Sequence, residues 1–270
     1  VWERAAHRRA AATIAVSGAV RDFLVREEGL DAGRFVVVHN GIDLEPFTPP
    51  APRAEARSRL DDLLHRRGEP DLPMTGPLIG FVGRLAEQKG VDLLLDALEL
   101  VEAPPATVII GNGPMAAELR RRVGSGPLRH GVRLAGATDD VAALLPAFDL
   151  FVFPSRWEGF GLAAVEARAA GLPVLASGVD GLRDVVDDGV TGRLIPPGDP
   201  DVLAATLADM LARPEVLAAM GQAGRRRALE RFSAGRMARD VAAIYRRVLG
   251  RPGADTDQPR DEDPRAGMRP

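Results

Sequence analysis

The sequence predicts a doubly wound α/β fold, a parallel sheet with helices on both faces. Three observations carry that expectation. Between residues 78 and 195, short apolar runs with β character alternate with longer stretches of helical periodicity. The runs are continuously apolar instead of alternating with polar residues, as strands are when both faces are covered. Glycine turns at Gly83, Gly111, Gly136 and Gly178 follow the runs, marking where the chain leaves one strand for the next helix.

Taken in order, 1–12 reads as a helix or its tail and 13–16 as a short strand. Ser17 is a helix cap ahead of an apolar face of Val20, Leu24 and Val25. A second strand at 35–38 runs into the turn His39-Asn40-Gly41-Ile42-Asp43. These units, within 1–50, are too short for a complete domain. Proline breaks the chain at 46–52, a charged amphipathic helix is expected at 53–67, and 51–77 is the best linker. The alternating region follows: strands at 78–82, 107–110, 132–134, 150–153, 173–176 and 192–195, with helices at 87–101, 114–123, 139–145, 162–170 and 182–187. The helix at 87–101 turns Val91, Leu94, Leu95 and Leu98 inward, and Pro114 opens the next one. Three helices at 201–212, 215–230 and 235–249 close the fold, with Arg225–Arg227 and Arg246–Arg247 expected on solvated faces. The stretch 250–270 is too poor in apolar residues to offset its chain entropy and is expected to be disordered.

Composition narrows the function. Hydrophobic residues make up 46% of the 270, enough for a large core. No apolar run approaches the roughly 18 residues of a transmembrane helix, and 1–12 is charged and amphipathic, unlike a signal peptide. Without cysteine there are no disulfides or thiolate metal sites, and a cytoplasmic location is the default. A net charge of −3 argues against a nucleic-acid partner. His7, His39, His65 and His130 are scattered without ligand spacing, so no metal is expected. No nucleophile elbow is present either. Of the 35 basic residues all but Lys89 are arginine. That lone lysine marks either a site that wants a compact ammonium or a chance survivor on a solvated face.

In a doubly wound sheet, ligands sit beyond the carboxyl ends of the strands. After the first strand of the alternating region comes Gly83-Arg84-Leu85-Ala86-Glu87-Gln88-Lys89-Gly90. Lys89 is expected in the first turn of the next helix, where it opposes the helix dipole at a cost that a polyanion would offset. Arg84 with Lys89 would suit a diphosphate; the alternative is surface charge beside a turn. Gly111-Asn112-Gly113 follows the second strand and reads as close approach to a ligand or as a tight turn. No acid follows Leu134-Ala135-Gly136 to hold a dinucleotide's ribose. After the fourth strand, Glu158-Gly159-Phe160-Gly161-Leu162 turns into a helix that carries Glu166. Amide N–H groups at such a start favour anions, whereas Glu158 and Glu166 would accept hydrogen bonds from sugar hydroxyls. A glycosidase acid pair is disfavoured, because Glu166 lies within a helix and no other loop supplies a companion.

These residues in this order resemble the family-4 retaining glycosyltransferases of the GT-B fold. The similarity lies in V-H-N-G-I-D (38–43), G-F-V-G-R-L-A-E-Q-K-G (80–90), I-I-G-N-G-P (109–114) and F-P-S-R-W-E-G-F-G-L-A-A-V-E-A (153–167), and continues in 171–177 and 189–199. The resemblance implies that Arg84 and Lys89 hold the donor diphosphate as it leaves. It gives Glu166 the ribose, and gives the transferred sugar Glu158 with the backbone of Gly159, Phe160 and Gly161. Leu134, Ala135 and Gly136 would meet the base, and Gly83, Gly111, Asn112, Gly113 and Leu162 would line the site. No cofactor or metal is implied; the donor is a nucleotide-diphosphate sugar and the acceptor is unknown. By the same resemblance, 1–50 is a remnant of an acceptor-binding N-terminal domain, 78–232 the donor-binding domain, and 233–249 a helix crossing back. The rest of the acceptor domain would lie in a longer chain or a partner chain, and any peripheral membrane contact would be made through it. A binding half of a split enzyme and a nucleotide-sugar epimerase are the rival expectations.

Overall fold

The computed structural model describes residues 2–73 and 76–250. The expected tail at 250–270 lies outside the described residues apart from Gly250.

An N-terminal unit consists of α1 (Trp2–Arg9), β1 (Thr13–Ala15), α2 (Gly18–Glu28) and β2 (Phe35–Val37). Its two strands pair in parallel, Ile14 opposite Val36. Ser17 caps α2 by accepting a hydrogen bond from the Val20 N–H at 3.1 Å. Then comes α3 (Arg53–Arg66), within the expected linker. Its face of Ala56, Leu60, Leu63 and Leu64 is buried in the main core, so this part of 51–77 is a packed element.

The α/β body runs β3 (Leu78–Val82), α4 (Val91–Leu100), β4 (Ala106–Ile110), α5 (Ala116–Ser125), β5 (Val132–Gly136), α6 (Val141–Leu144), β6 (Leu150–Phe153), α7 (Leu162–Ala169), β7 (Val174–Ser177), α8 (Asp180–Val185) and β8 (Gly192–Ile195). Three helices follow, α9 (Pro200–Leu211), α10 (Pro214–Arg231) and α11 (Ala234–Val248). The strands form one sheet in the order β5-β4-β3-β6-β7-β8, every neighbour parallel. All four residues of β6 and of β7 are buried, as continuously apolar strands must be. Val91, Leu94, Leu95 and Leu98 of α4 are fully buried, matching the expected inward face.

Two expectations shift at element ends. The helix expected at 87–101 is a 3-10 turn over Glu87–Lys89, then Gly90 in the left-handed region, then α4. The next one starts at Ala116, with Pro114 in the turn ahead of it. The arginine cluster on α10 also departs from a solvated face. Arg225 donates to the carbonyls of Ala169 and Phe47, and Arg227 pairs with Asp187 at 2.6 Å.

The topology creates the crevice. From β3 the chain winds outward through β4 and β5, then returns to β6 on the other side of β3 and winds outward the opposite way. The loops after β3 and β6 therefore diverge above the sheet centre, at the topological switch point. The N-terminal unit sits beside it, pinned where the Ile42 N–H donates to Phe232 O at 2.9 Å and the Ala234 N–H to Ile42 O at 2.8 Å. Helix α11 then runs along β2, with Ile244 buried and Tyr245, Val248 and Leu249 exposed.

Candidate functional site

A cavity of about 370 Å³ opens above β3 and β6. Val82, Gly83, Arg84 and Lys89 reach it from the β3–α4 loop, and Phe153, Glu158, Gly159, Phe160, Gly161, Leu162 and Ala163 from β6 and the start of α7. Val16 and Asn40 close it from the N-terminal unit.

The two loops are cross-braced. Arg156 donates its N–H to Gln88 O (2.8 Å), one guanidinium nitrogen to Glu87 O (2.8 Å), and both terminal nitrogens to the Asp92 carboxylate (2.9 and 2.6 Å). Gln88 Nε2 returns a hydrogen bond to Trp157 O at 3.1 Å. This bracket brings Lys89 against Glu158, with which it forms an ion pair, its ammonium 5.0 Å from the Phe153 ring centroid. The expectation that Lys89 opposes a helix dipole is therefore corrected: α4 begins two residues later, and Glu158 compensates the charge. Arg84 is exposed and, among the described residues, pairs with no carboxylate.

The β6–α7 turn supplies amides. Gly161 caps α7 with φ 95°, a backbone conformation that favours glycine, and a Cβ there would press on Leu182 Cδ2 at 2.5 Å. Among the described residues, the backbone N–H groups of Gly159, Phe160, Gly161, Leu162 and Ala163 donate to no protein acceptor. All five residues line the cavity. Glu166 lies one turn into α7, half-buried, and its carboxylate has no partner among the described residues. Burial pushes its pKa up.

The remaining expected residues, Gly111, Asn112, Gly113, Leu134, Ala135, Gly136 and Glu166, are not among those that line this cavity, and Leu134 lines a separate one beside β5. Gly111 and Gly113 pack on the β3–α4 loop, where a Cβ on either would lie 1.9 Å from Gly83 O or 2.4 Å from Leu85 O. Leu85 N–H donates to Asn112 O and Met115 N–H to Leu85 O, both at 2.9 Å. The close approach that these glycines permit is thus between two loops of the chain itself. Leu134 and Ala135 are buried in β5, and Gly136 at its end accepts from the Gly111 N–H at 2.9 Å.

Sequence reasoning missed the N-terminal contribution. Ser17, read only as a cap, also donates to Gly159 O at 2.8 Å. His39 stacks on Phe160 with centroids 5.6 Å apart and faces Asp184, its Nε2 3.5 Å from Oδ2. Burial raises the Asp184 pKa, but His39 and the Gly18 N–H more than offset this and hold it below the usual carboxylate value. The turn V-H-N-G-I-D was the available signal, but nothing local shows which loop it meets. A larger cavity, about 820 Å³, lies along the outer edge of β5. Its buried Arg133 is satisfied by the carbonyls of Pro70, Asp71, Arg129 and Val132.

Two family profiles match the chain: "Glycosyl transferases group 1" over residues 65–227 and "Glycosyltransferase Family 4" over residues 1–46. A D-inositol 3-phosphate glycosyltransferase of Mycolicibacterium vanbaalenii is 40% identical over 206 residues, covering 70% of this chain and 43% of the relative. The lipopolysaccharide core biosynthesis mannosyltransferase LpsB of Rhizobium meliloti is 33% identical over 259 residues, covering 92% and 69%. Among solved structures, Anabaena Alr3699/HepE in complex with UDP and glucose aligns with a TM-score of 0.78 at 25% identity, covering 89% of this chain and 64% of that one. The chain spans about half the length of the D-inositol 3-phosphate glycosyltransferases that it matches.

Proposed function

The chain belongs to the group 1 glycosyl transferases, whose profile spans more than half of it, and on that premise we propose that the crevice above β3 and β6 binds a nucleotide-diphosphate sugar for transfer to an acceptor with retained anomeric configuration. One observation carries this reading: five unpartnered amide N–H groups, two cations and a carboxylate converge on a single cavity. That chemistry suits a ligand with both anionic oxygens and hydroxyls. The binding of UDP and glucose by the Anabaena neighbour supports it.

In this reading Arg84 and Lys89 neutralise the diphosphate, which carries the most charge when the bond to the anomeric carbon breaks; donors aimed at that charge lower the barrier. The amides at the helix start, Leu162 and Ala163, share the same load, while the backbone of Gly159, Phe160 and Gly161 faces the sugar. Glu158 accepts from a hydroxyl of the sugar, and its contact with Lys89 couples the sugar to the phosphate end. Glu166, desolvated and without a protein donor among the described residues, takes the ribose hydroxyls. Gly83, Gly111, Asn112 and Gly113 wall the nucleotide, and backbone near Leu134, Ala135 and Gly136 meets the base. The acceptor oxygen forms the new bond, and its proton passes to the departing diphosphate. No cofactor enters, and the cations do the work that a metal would do.

Transfer also needs an acceptor site. We assign 78–232 to the donor domain, 51–77 to the connection and 1–50 to the end of an acceptor domain, whose remainder a longer chain or a partner would supply. Helix 233–249 crosses back toward it. A cytoplasmic location is the default for a chain without cysteine, and peripheral membrane contact would come through the acceptor side. Among the described residues no helix is long and apolar enough to cross a membrane. A thermal-shift panel of UDP-, GDP- and ADP-sugars tests the reading. One nucleotide series should raise the melting temperature, with the shift growing as the logarithm of its concentration above Kd; a panel without any shift would overturn it.

A further inference from the structure

We infer that Ser17, together with Asp184, is a positioning residue for the sugar-facing loop, so that the N-terminal unit is a working part of the donor site and not only the end of an acceptor domain. The inference rests on the donor-site reading above.

In a trans peptide the C=O and the following N–H are coplanar and point opposite ways, so fixing one fixes the other. Gly159 O accepts from the Ser17 hydroxyl at 2.8 Å, which sets the direction of the Phe160 N–H. Glu158 O accepts from the Gly181 N–H at 3.1 Å, which sets the Gly159 N–H. Neither N–H has a protein acceptor among the described residues, and both residues line the cavity. Left ungripped, a turn with glycine at 159 and 161 would sample many orientations of these donors.

Ser17 is itself held. It is fully buried, and its hydroxyl accepts from the Val20 N–H while donating to Gly159, so its proton direction is determined. The next residue, Gly18, donates its N–H to Asp184 Oδ2 at 2.9 Å, locking the start of α2 to α8. Asp184 also faces His39, whose ring lies on Phe160, the residue between the two glycines. The loop is thus gripped at Glu158 by α8, at Gly159 by Ser17 and at Phe160 by His39. Ser17 and Gly159 are 142 residues apart, so the contact joins the N-terminal unit to the α/β body.

Two readouts on the full chain test this with UDP and UDP-glucose as probes. In Ser17→Ala, hydrogen exchange across 158–162 should quicken, and Ser17→Thr, which keeps the hydroxyl, should restore it. By calorimetry Ser17→Ala should weaken UDP-glucose by roughly five- to tenfold, about one hydrogen bond's net worth. UDP, held mainly through its phosphates, should change by less than about twofold on the same scale. Asp184→Asn should move both readouts the same way. Unchanged exchange at 158–162, or UDP and UDP-glucose weakened equally, would overturn the proposal. If the wild-type chain binds neither probe, the donor-site reading fails for uridine nucleotides, and the exchange result alone decides whether Ser17 orders the loop.

Discussion

At the scale of the residue, Glu166 shows what the site costs. A half-buried carboxylate without a protein partner among the described residues is poorly placed for stability, and burial raises its pKa. The folded state then holds its proton more tightly than the unfolded chain, so stability falls as pH rises from the ordinary value of 4.5 through the raised one. Glu166→Gln should accordingly raise the melting temperature at pH 7, with the gain vanishing near pH 4, while weakening nucleotide-sugar affinity. A Gln variant less stable than wild type at pH 7 would contradict this. Lys89 gives the opposite case, since its charge is met by Glu158 within the protein. Its selection as the lone lysine was legible in the chain, whereas its partner, 69 residues on, was not.

At the scale of the element, the site depends on how two loops are held. The Asp92–Arg156 pair is about a quarter exposed on each side and bidentate, unlike the exposed pair between Asp209 of α9 and Arg213 in the turn after it. Asp92→Ala should cost about 1.5–3 kcal/mol in urea denaturation, and should weaken nucleotide-sugar binding by displacing Lys89 from Glu158. Asp209→Ala should cost less than about 1 kcal/mol and leave binding unchanged. Burial, the largest single effect, raises the Asp92 pKa, but Arg156 and the backbone N–H groups together outweigh it and lower the pKa, so the pair's contribution is full above 3.8 and is lost as pH falls through the lowered value. Equal losses from the two variants would show that the bracket carries nothing special. Gly161 is the second hinge point. Gly161→Ala forces φ 95° on a residue with a Cβ and should destabilise the fold by about 1–3 kcal/mol; a neutral result would mean that the turn relaxes.

At the scale of the whole molecule, the doubly wound parallel sheet was readable because it rests on local signals, whereas the strand order was not read. Apolar runs buried on both faces announce a parallel sheet, and glycine turns mark the strand ends where the crevice forms. The unread parts share one physical feature: they depend on contacts between distant stretches. The left-handed Gly90 that ends the 3-10 turn packs against Pro154, where a Cβ would lie 2.1 Å from the carbonyl oxygen. The glycines at 111 and 113 are explained by the loop after β3, and Ser17 by a loop 142 residues away. Helix α3 looked like a linker because its charged face dominates its composition, yet its leucines complete the core. The proposed function stands on Arg84 and Lys89 holding a diphosphate at the switch point. Calorimetric titration of the wild type and of the Arg84→Ala, Lys89→Ala double variant, with the nucleotide sugar that most stabilises the wild type, tests it most directly. One-to-one binding in the wild type, weakened by about 100-fold or more in the double variant, is the predicted result, since two charge-assisted contacts are lost; affinity retained in the double variant would contradict the claim.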